Sequence, residues 1–128
     1  MGRLRYFLLA TDLGFLGYWL VTLLHLFPAA WLFQDYTNPL LVAWNWSFLP
    51  LDLLVSATGL TAVMRASRGL AWQKWALLSL TLTSSSGLNA IAFWFIRRDF
   101  DVGWWAPNVF LLVWPLFFLP RLLSTKEP

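Results

Sequence analysis

Trp44-Asn45-Trp46-Ser47-Phe48-Leu49-Pro50-Leu51-Asp52 decides how this chain is read. It lies inside an apolar run from Leu40 to Met64. About 20 helical residues, each rising 1.5 Å, cross the hydrocarbon of a bilayer, so the run is long enough to span. A plain anchor would fill it with Leu, Ile and Val. This one carries an amide, an acid, two indoles and a proline. A charged side chain at the bilayer centre costs roughly 3 kcal/mol on the insertion scale. Other parts of the protein must therefore give Asp52 polar company. The stretch reads as one wall of a small polar site inside apolar helices.

Composition extends that reading to the whole chain. Of 128 residues, 59% are apolar and 12% are charged. Soluble domains run about 45–50% apolar and about 25% charged. A single domain of this length has too little interior to hide so much apolar surface, so lipid must solvate it. The net charge of +3 does not point to nucleic acid, because the basic residues stand at the ends of apolar runs and form no continuous patch. There is no cysteine and one histidine, His25. Disulfides and thiolate chemistry are excluded, and neither a metal site nor a cofactor is expected.

Three further spans flank the second. The first runs from Tyr6 to Phe27, the third from Trp72 to Ile96 and the fourth from Trp104 to Arg121. The first is too long for a signal peptide and is interrupted by Asp12, so it is expected to stay attached. Pro28 ends it, and Asn38-Pro39 marks the turn into the second. Pro50 is expected to bend the second span close to Asp52. Pro107, Pro115 and Pro120 interrupt the fourth, with Pro107 in its first turn. Ser124 to Pro128 is a polar tail. Arg3, Arg5, Arg65, Arg68, Lys74, Arg121 and Lys126 fall on one side, and only Arg97 and Arg98 on the other. The excess of positive charge places both termini in the cytoplasm. The expected fold is all-α: one transmembrane domain over residues 1–128, an integral four-helix bundle with N-in, C-in topology, in the cell membrane of a bacterium.

Counting depth along antiparallel spans brings certain polar residues to one level. Asp52 falls close to mid-membrane. Ser84, Ser85 and Ser86 lie opposite it on the third span, with Asn89 slightly further out. Asn45, His25 and Asn108 lie toward the outer edge. Asn45, Asp52, Ser56 and Gly59 are spaced to share one helix face. The expected ligand-binding set is Asn45, Asp52, Asn89, Trp19, Trp46, His25 and Ser85, with Asp12, Tyr18 and Asn108 secondary. A protonated Asp52 in a dry pocket can donate a hydrogen bond or act as a general acid, so it is the catalytic residue if the protein is an enzyme. Its structural alternative is an acid tied to the serine-rich helix. The alternative for Asp12 is an interfacial cap or ion pair. Trp31, Trp72, Trp75, Trp104 and Trp105 sit where an aromatic belt is expected, and Trp19, Trp94 and Trp114 lie deeper. Aromatic walls around an acid suit an apolar ligand or a cation.

Thr11-Asp12-Leu13-Gly14-Phe15, Tyr18-Trp19, Asp35-Tyr36-Thr37-Asn38-Pro39, Trp44-Asn45-Trp46-Ser47-Phe48 and Pro50-Leu51-Asp52 together resemble the YvaD-like family of small bacterial membrane proteins. That resemblance implies a class of four-helix membrane protein and no mechanism. The histidine of the first span, the aromatic and acidic run Trp44 to Asp52, and Asn89 with Trp94 bear a more distant likeness to the EXPERA group of sterol isomerases and sigma-2 receptors. It implies an apolar ligand cavity lined by acids. The chain lacks the further acids and histidine that isomerase chemistry in that group would require.

Three functions follow for comparison. The first is binding of an apolar or amphiphilic small molecule, such as a membrane lipid, in a pocket around Asp52. The second is acid-catalysed isomerisation or cyclisation of a lipid. The third is an accessory role in a homodimer or larger membrane complex. A wide cavity beside Asp52 favours the first two. A filled interior with a surface stripe of Thr83, Gly87 and Ala90 favours the third.

Overall fold

The computed structural model describes residues 1–124; Lys126 and most of the polar tail lie outside them. Five α-helices follow one another: α1 (Leu4–Leu23), α2 (Pro39–Trp46), α3 (Phe48–Ser67), α4 (Gln73–Ile96) and α5 (Val102–Ser124). A 3-10 turn at Ala29–Trp31 lies in the connector between α1 and α2. Pro39–Ser67 counts as one span of 29 residues, so four helical units are long and apolar enough to cross a membrane. Large apolar side chains such as Leu13, Leu20, Leu53, Leu78 and Phe117 face outward. That outer surface suits hydrocarbon rather than water.

Local chemistry explains the helix limits. The Asn38 side chain accepts from the Leu40 amide at 3.0 Å, and Pro39 follows where a proline loses no helical hydrogen bond. The span breaks between α2 and α3 at Ser47, one turn before Pro50 and on the N-terminal side of Asp52. Pro50 has no N–H for the Trp46 carbonyl and its ring crowds that carbonyl, so the interruption falls where the ring presses. α1 stops at Leu23, short of the expected Phe27, because His25 takes a left-handed conformation at φ 53°. The Leu26 amide then bonds Val21 O and the His25 amide bonds Thr22 O, which closes the helix end.

The fourth span differs from expectation. α5 runs unbroken through Pro107, Pro115 and Pro120, and Pro107 lies beyond its first turn. The neighbouring helix supports it. Ser84 donates to the Leu112 carbonyl at 2.9 Å. At Gly87 α4 comes so close that a Cβ would lie 2.6 Å from the Leu112 nitrogen and 2.7 Å from the Asn108 oxygen. A proline-rich membrane helix persists where a neighbour packs on its backbone.

The helices alternate in direction. One apolar cluster joins Leu4, Ala62, Ala76 and Leu122, which places the start of α1 and the end of α5 at the same end of the bundle. The other end is aromatic: Trp19, Phe33, Phe48, Trp94 and Trp104 pack together, and Trp44 stacks on Phe93 at 4.4 Å. Arg97 bridges to Asp35 at 3.4 Å there and ties the two connectors of that end. α4 packs closely on both α3 and α5, and α3 packs on α1; the backbones of α1 and α5 stay apart, and Phe7 bridges them at one end by stacking on Trp114 at 5.2 Å and meeting Phe118 at 5.4 Å. The bundle is therefore open between α1 and α5 only beyond that contact, from Ala10 toward the aromatic end.

Candidate functional site

Asp52 is 4% exposed and faces inward. Its Oδ2 accepts from Trp19 Nε1 at 2.9 Å, and its Oδ1 accepts from Ser86 Oγ at 3.1 Å. Three helices meet at this carboxyl: α1 supplies the indole, α4 the hydroxyl and α3 the acid. Helical spacing sets up the encounter. Asn45, Asp52, Ser56 and Gly59 are all buried on one face of α2 and α3. On α4 the buried face reads Ser79, Thr83, Ser86, Ala90 and Trp94. Hydrogen bonds of this kind contribute about 0.5–1.5 kcal/mol each, and breaking one leaves a polar atom stranded in the core.

The open side between α1 and α5 is a cleft of about 440 Å³, within the size range of small-molecule sites. Asp52, Ser86 and Asn45 lie at its back. Phe15, Tyr18 and Trp19 line it from α1, Phe48 from α3, and Trp104, Pro107, Asn108 and Phe110 from α5. Tyr18 donates to Asn45 Oδ1 at 3.4 Å, while the buried Nδ2 of Asn45 has no partner. Trp104 is braced by its own Nε1, which donates to the Ala90 carbonyl at 3.1 Å. The cleft thus joins apolar and aromatic walls to a compact polar back.

A second buried acid lies one heptad away. Asp12 on α1 is fully buried, and neither carboxyl oxygen has a hydrogen-bond partner. It is neither an interfacial cap nor part of an ion pair. A Cβ on Gly59 would lie 2.7 Å from Asp12 Cγ and 2.8 Å from Ser79 Oγ, so the missing side chain is what makes room for the acid. Ser56 donates to the Asp12 backbone carbonyl at 2.9 Å, and Ser79 donates to the Val55 carbonyl at 3.0 Å. Asp12, Gly59 and Ser79 form one layer; Trp19, Asp52 and Ser86 form the next, each seven residues along its own helix. Seven residues amount to about 10 Å of rise, close to two full turns, which keeps both layers on the same faces.

The site departs from the expected set at several positions. Ser85 and Asn89 are exposed. Ser85 bonds back to Thr81 O, and one residue further Ser86 reaches the acid instead. Each step along a helix turns the side chain by 100°, so depth alone does not choose between neighbours. His25 is exposed at the helix end and does not face the cleft. Trp46 does not line the cleft; it packs behind Trp19 at 5.3 Å. Asn45, Trp19, Tyr18 and Asn108 do line it. Trp104 is buried in the aromatic cluster. Trp19, Trp94 and Trp114 are buried within the protein. Thr83, Gly87 and Ala90 are all buried, so this stripe packs within the chain and is no outer docking surface.

Comparison with known proteins places the chain. Residues 4–128 match DUF5360, a family of unknown function. The chain is 46% identical over 126 residues to "Uncharacterized protein YvaD" of Bacillus subtilis (strain 168), covering 97% of this chain and 94% of that protein. No solved structure matches it. The likeness to the EXPERA group finds no support in these matches. With its length covered almost end to end, and with the Trp44–Asp52 stretch inside the match, the chain belongs to the YvaD-like family DUF5360.

Proposed function

We propose that this protein is a multi-pass protein of the bacterial cell membrane that takes an apolar or amphiphilic small molecule from the lipid into the α1–α5 cleft, with the polar end of that molecule against Asp52. The observation that carries this reading is the open seam between α1 and α5, about 440 Å³ in volume, with an acid and an unsatisfied amide donor at its back. A void of that kind in a bundle of this size leaves apolar walls without contacts, which a ligand would restore. The lateral opening suits a molecule already dissolved in the membrane. The positive charge at the end holding both termini supports N-in, C-in orientation.

Purified protein in neutral detergent would be titrated with a twelve-carbon alcohol while tryptophan emission is followed, because Trp19 and Trp104 line the cleft. The expected result is a saturable change that Gly14→Trp removes by filling the mouth. Gly14 lines the cleft and a Cβ there meets nothing within 4 Å, so the fold should tolerate the change. A linear, unsaturable response from native protein, identical in the variant, would overturn the reading.

A further inference from the structure

The cleft selects among amphiphiles by charge. We propose that its ligand carries a positively charged head, an ammonium group, seated against Asp52; this rests on the amphiphile reading above. The first reason is the way Asp52 is already bonded. Trp19 Nε1 donates to one oxygen and Ser86 Oγ to the other. Indole N–H is a donor only, so it cannot turn round to receive. What remains on the carboxyl, which lines the cleft, is unused lone pairs, and those receive a donor or a positive charge. A ligand head made only of acceptors would find no donor at an ionised Asp52.

The second reason is the absence of a counter-charge. No Arg, Lys or His is among the described residues that line the cleft. A buried carboxylate without a partner is costly, and a cationic head is the partner the protein itself does not supply. The third reason is the wall. Trp19, Tyr18, Phe48 and Trp104 surround the back of the cleft, and the faces of aromatic rings attract cations, with Trp the strongest. Anionic heads, a fatty carboxylate or a sulfate, would meet like charge at the acid, with only the neutral Asn45 amide and Thr11 hydroxyl as unpartnered donors.

An ammonium head has two sources in a membrane: the amine of a lipid headgroup or a free amphiphilic amine. The test uses full-length protein in neutral detergent and three twelve-carbon probes that differ only at the head: trimethylammonium, hydroxyl and sulfate. The ammonium probe is expected to bind about tenfold tighter than the alcohol, and the sulfate weakest. In Asp52→Asn the ratio of ammonium to alcohol affinity is expected to fall to about one. If that variant fails to fold, the comparison of the three probes on native protein decides alone. Equal binding of alcohol and ammonium to native protein overturns the charge preference and leaves the amphiphile reading standing. Failure of all three to saturate overturns both. Tightest binding of the sulfate overturns the charge preference. Competition then separates the sources. Displacement of the ammonium probe by phosphatidylethanolamine supports a lipid head, and displacement only by dodecylamine supports a free amine. Displacement by neither overturns the proposal.

Discussion

Trp19 serves Asp52 with its nitrogen and the cleft with its ring. Trp19→Phe keeps most of the ring and removes the N–H that donates to Oδ2 at 2.9 Å. It should lower stability by about 1–3 kcal/mol, the effect of stranding a buried polar atom. A thermal unfolding midpoint in detergent that matches the native protein would show the bond to be idle. Asp12 gives a sharper case. Gly59→Ala places a Cβ against the Asp12 carboxyl and Ser79 Oγ. The expected loss is about 1–3 kcal/mol by overpacking. Asp12→Ala in that background should recover most of it, because the two side chains compete for the same space. A double-mutant cycle measures this coupling directly, and strict additivity would refute the niche.

At the scale of elements, α4 is the scaffold. It carries Ser86 to the acid, Ser79 to α3 and Ser84 to α5. Gly87 lies against backbone atoms of α5 rather than against flexible side chains. Backbone gives way less readily, so Gly87→Ala should be worse than Gly59→Ala, by about 3 kcal/mol or more. Ser84→Ala should cost only about 1 kcal/mol, as interhelical hydrogen bonds in membranes do. Guided unfolding of both variants, with loss of α5 protection in hydrogen exchange, checks the order. If Ser84→Ala proved the more damaging, support of α5 would rest on the hydroxyl and not on close approach.

For the molecule as a whole, the alternation of four spans and the distribution of charge set a testable orientation. The chain contains no cysteine, so single cysteines report cleanly. Arg3→Cys lies at the end holding both termini and Arg98→Cys at the other. In intact cells, a membrane-impermeant maleimide should label the second and spare the first. The reverse pattern would invert the proposed topology. The open seam between α1 and α5 also predicts where a probe enters. A photoreactive amphiphile should mark Phe15 and Phe110, which line the cleft, in preference to Leu53 and Leu78, which face outward from other helices.

Membrane class, number of spans and the inward acid were legible from residue order, because apolar length and the penalty on buried charge depend on composition and spacing alone. Trp44 to Asp52 announced a polar face, and Asn45, Asp52, Ser56 and Gly59 share it. Rotation about each helix axis and the distance between axes depend on packing among residues far apart in the chain. Those chose Ser86 over Ser85, turned Asn89 outward, drew Trp104 into the core, and let Gly59 open a niche for Asp12. The cleft itself is a matter of where α1 and α5 part beyond the Phe7–Trp114 stack, and no local pattern in either helix encodes that parting.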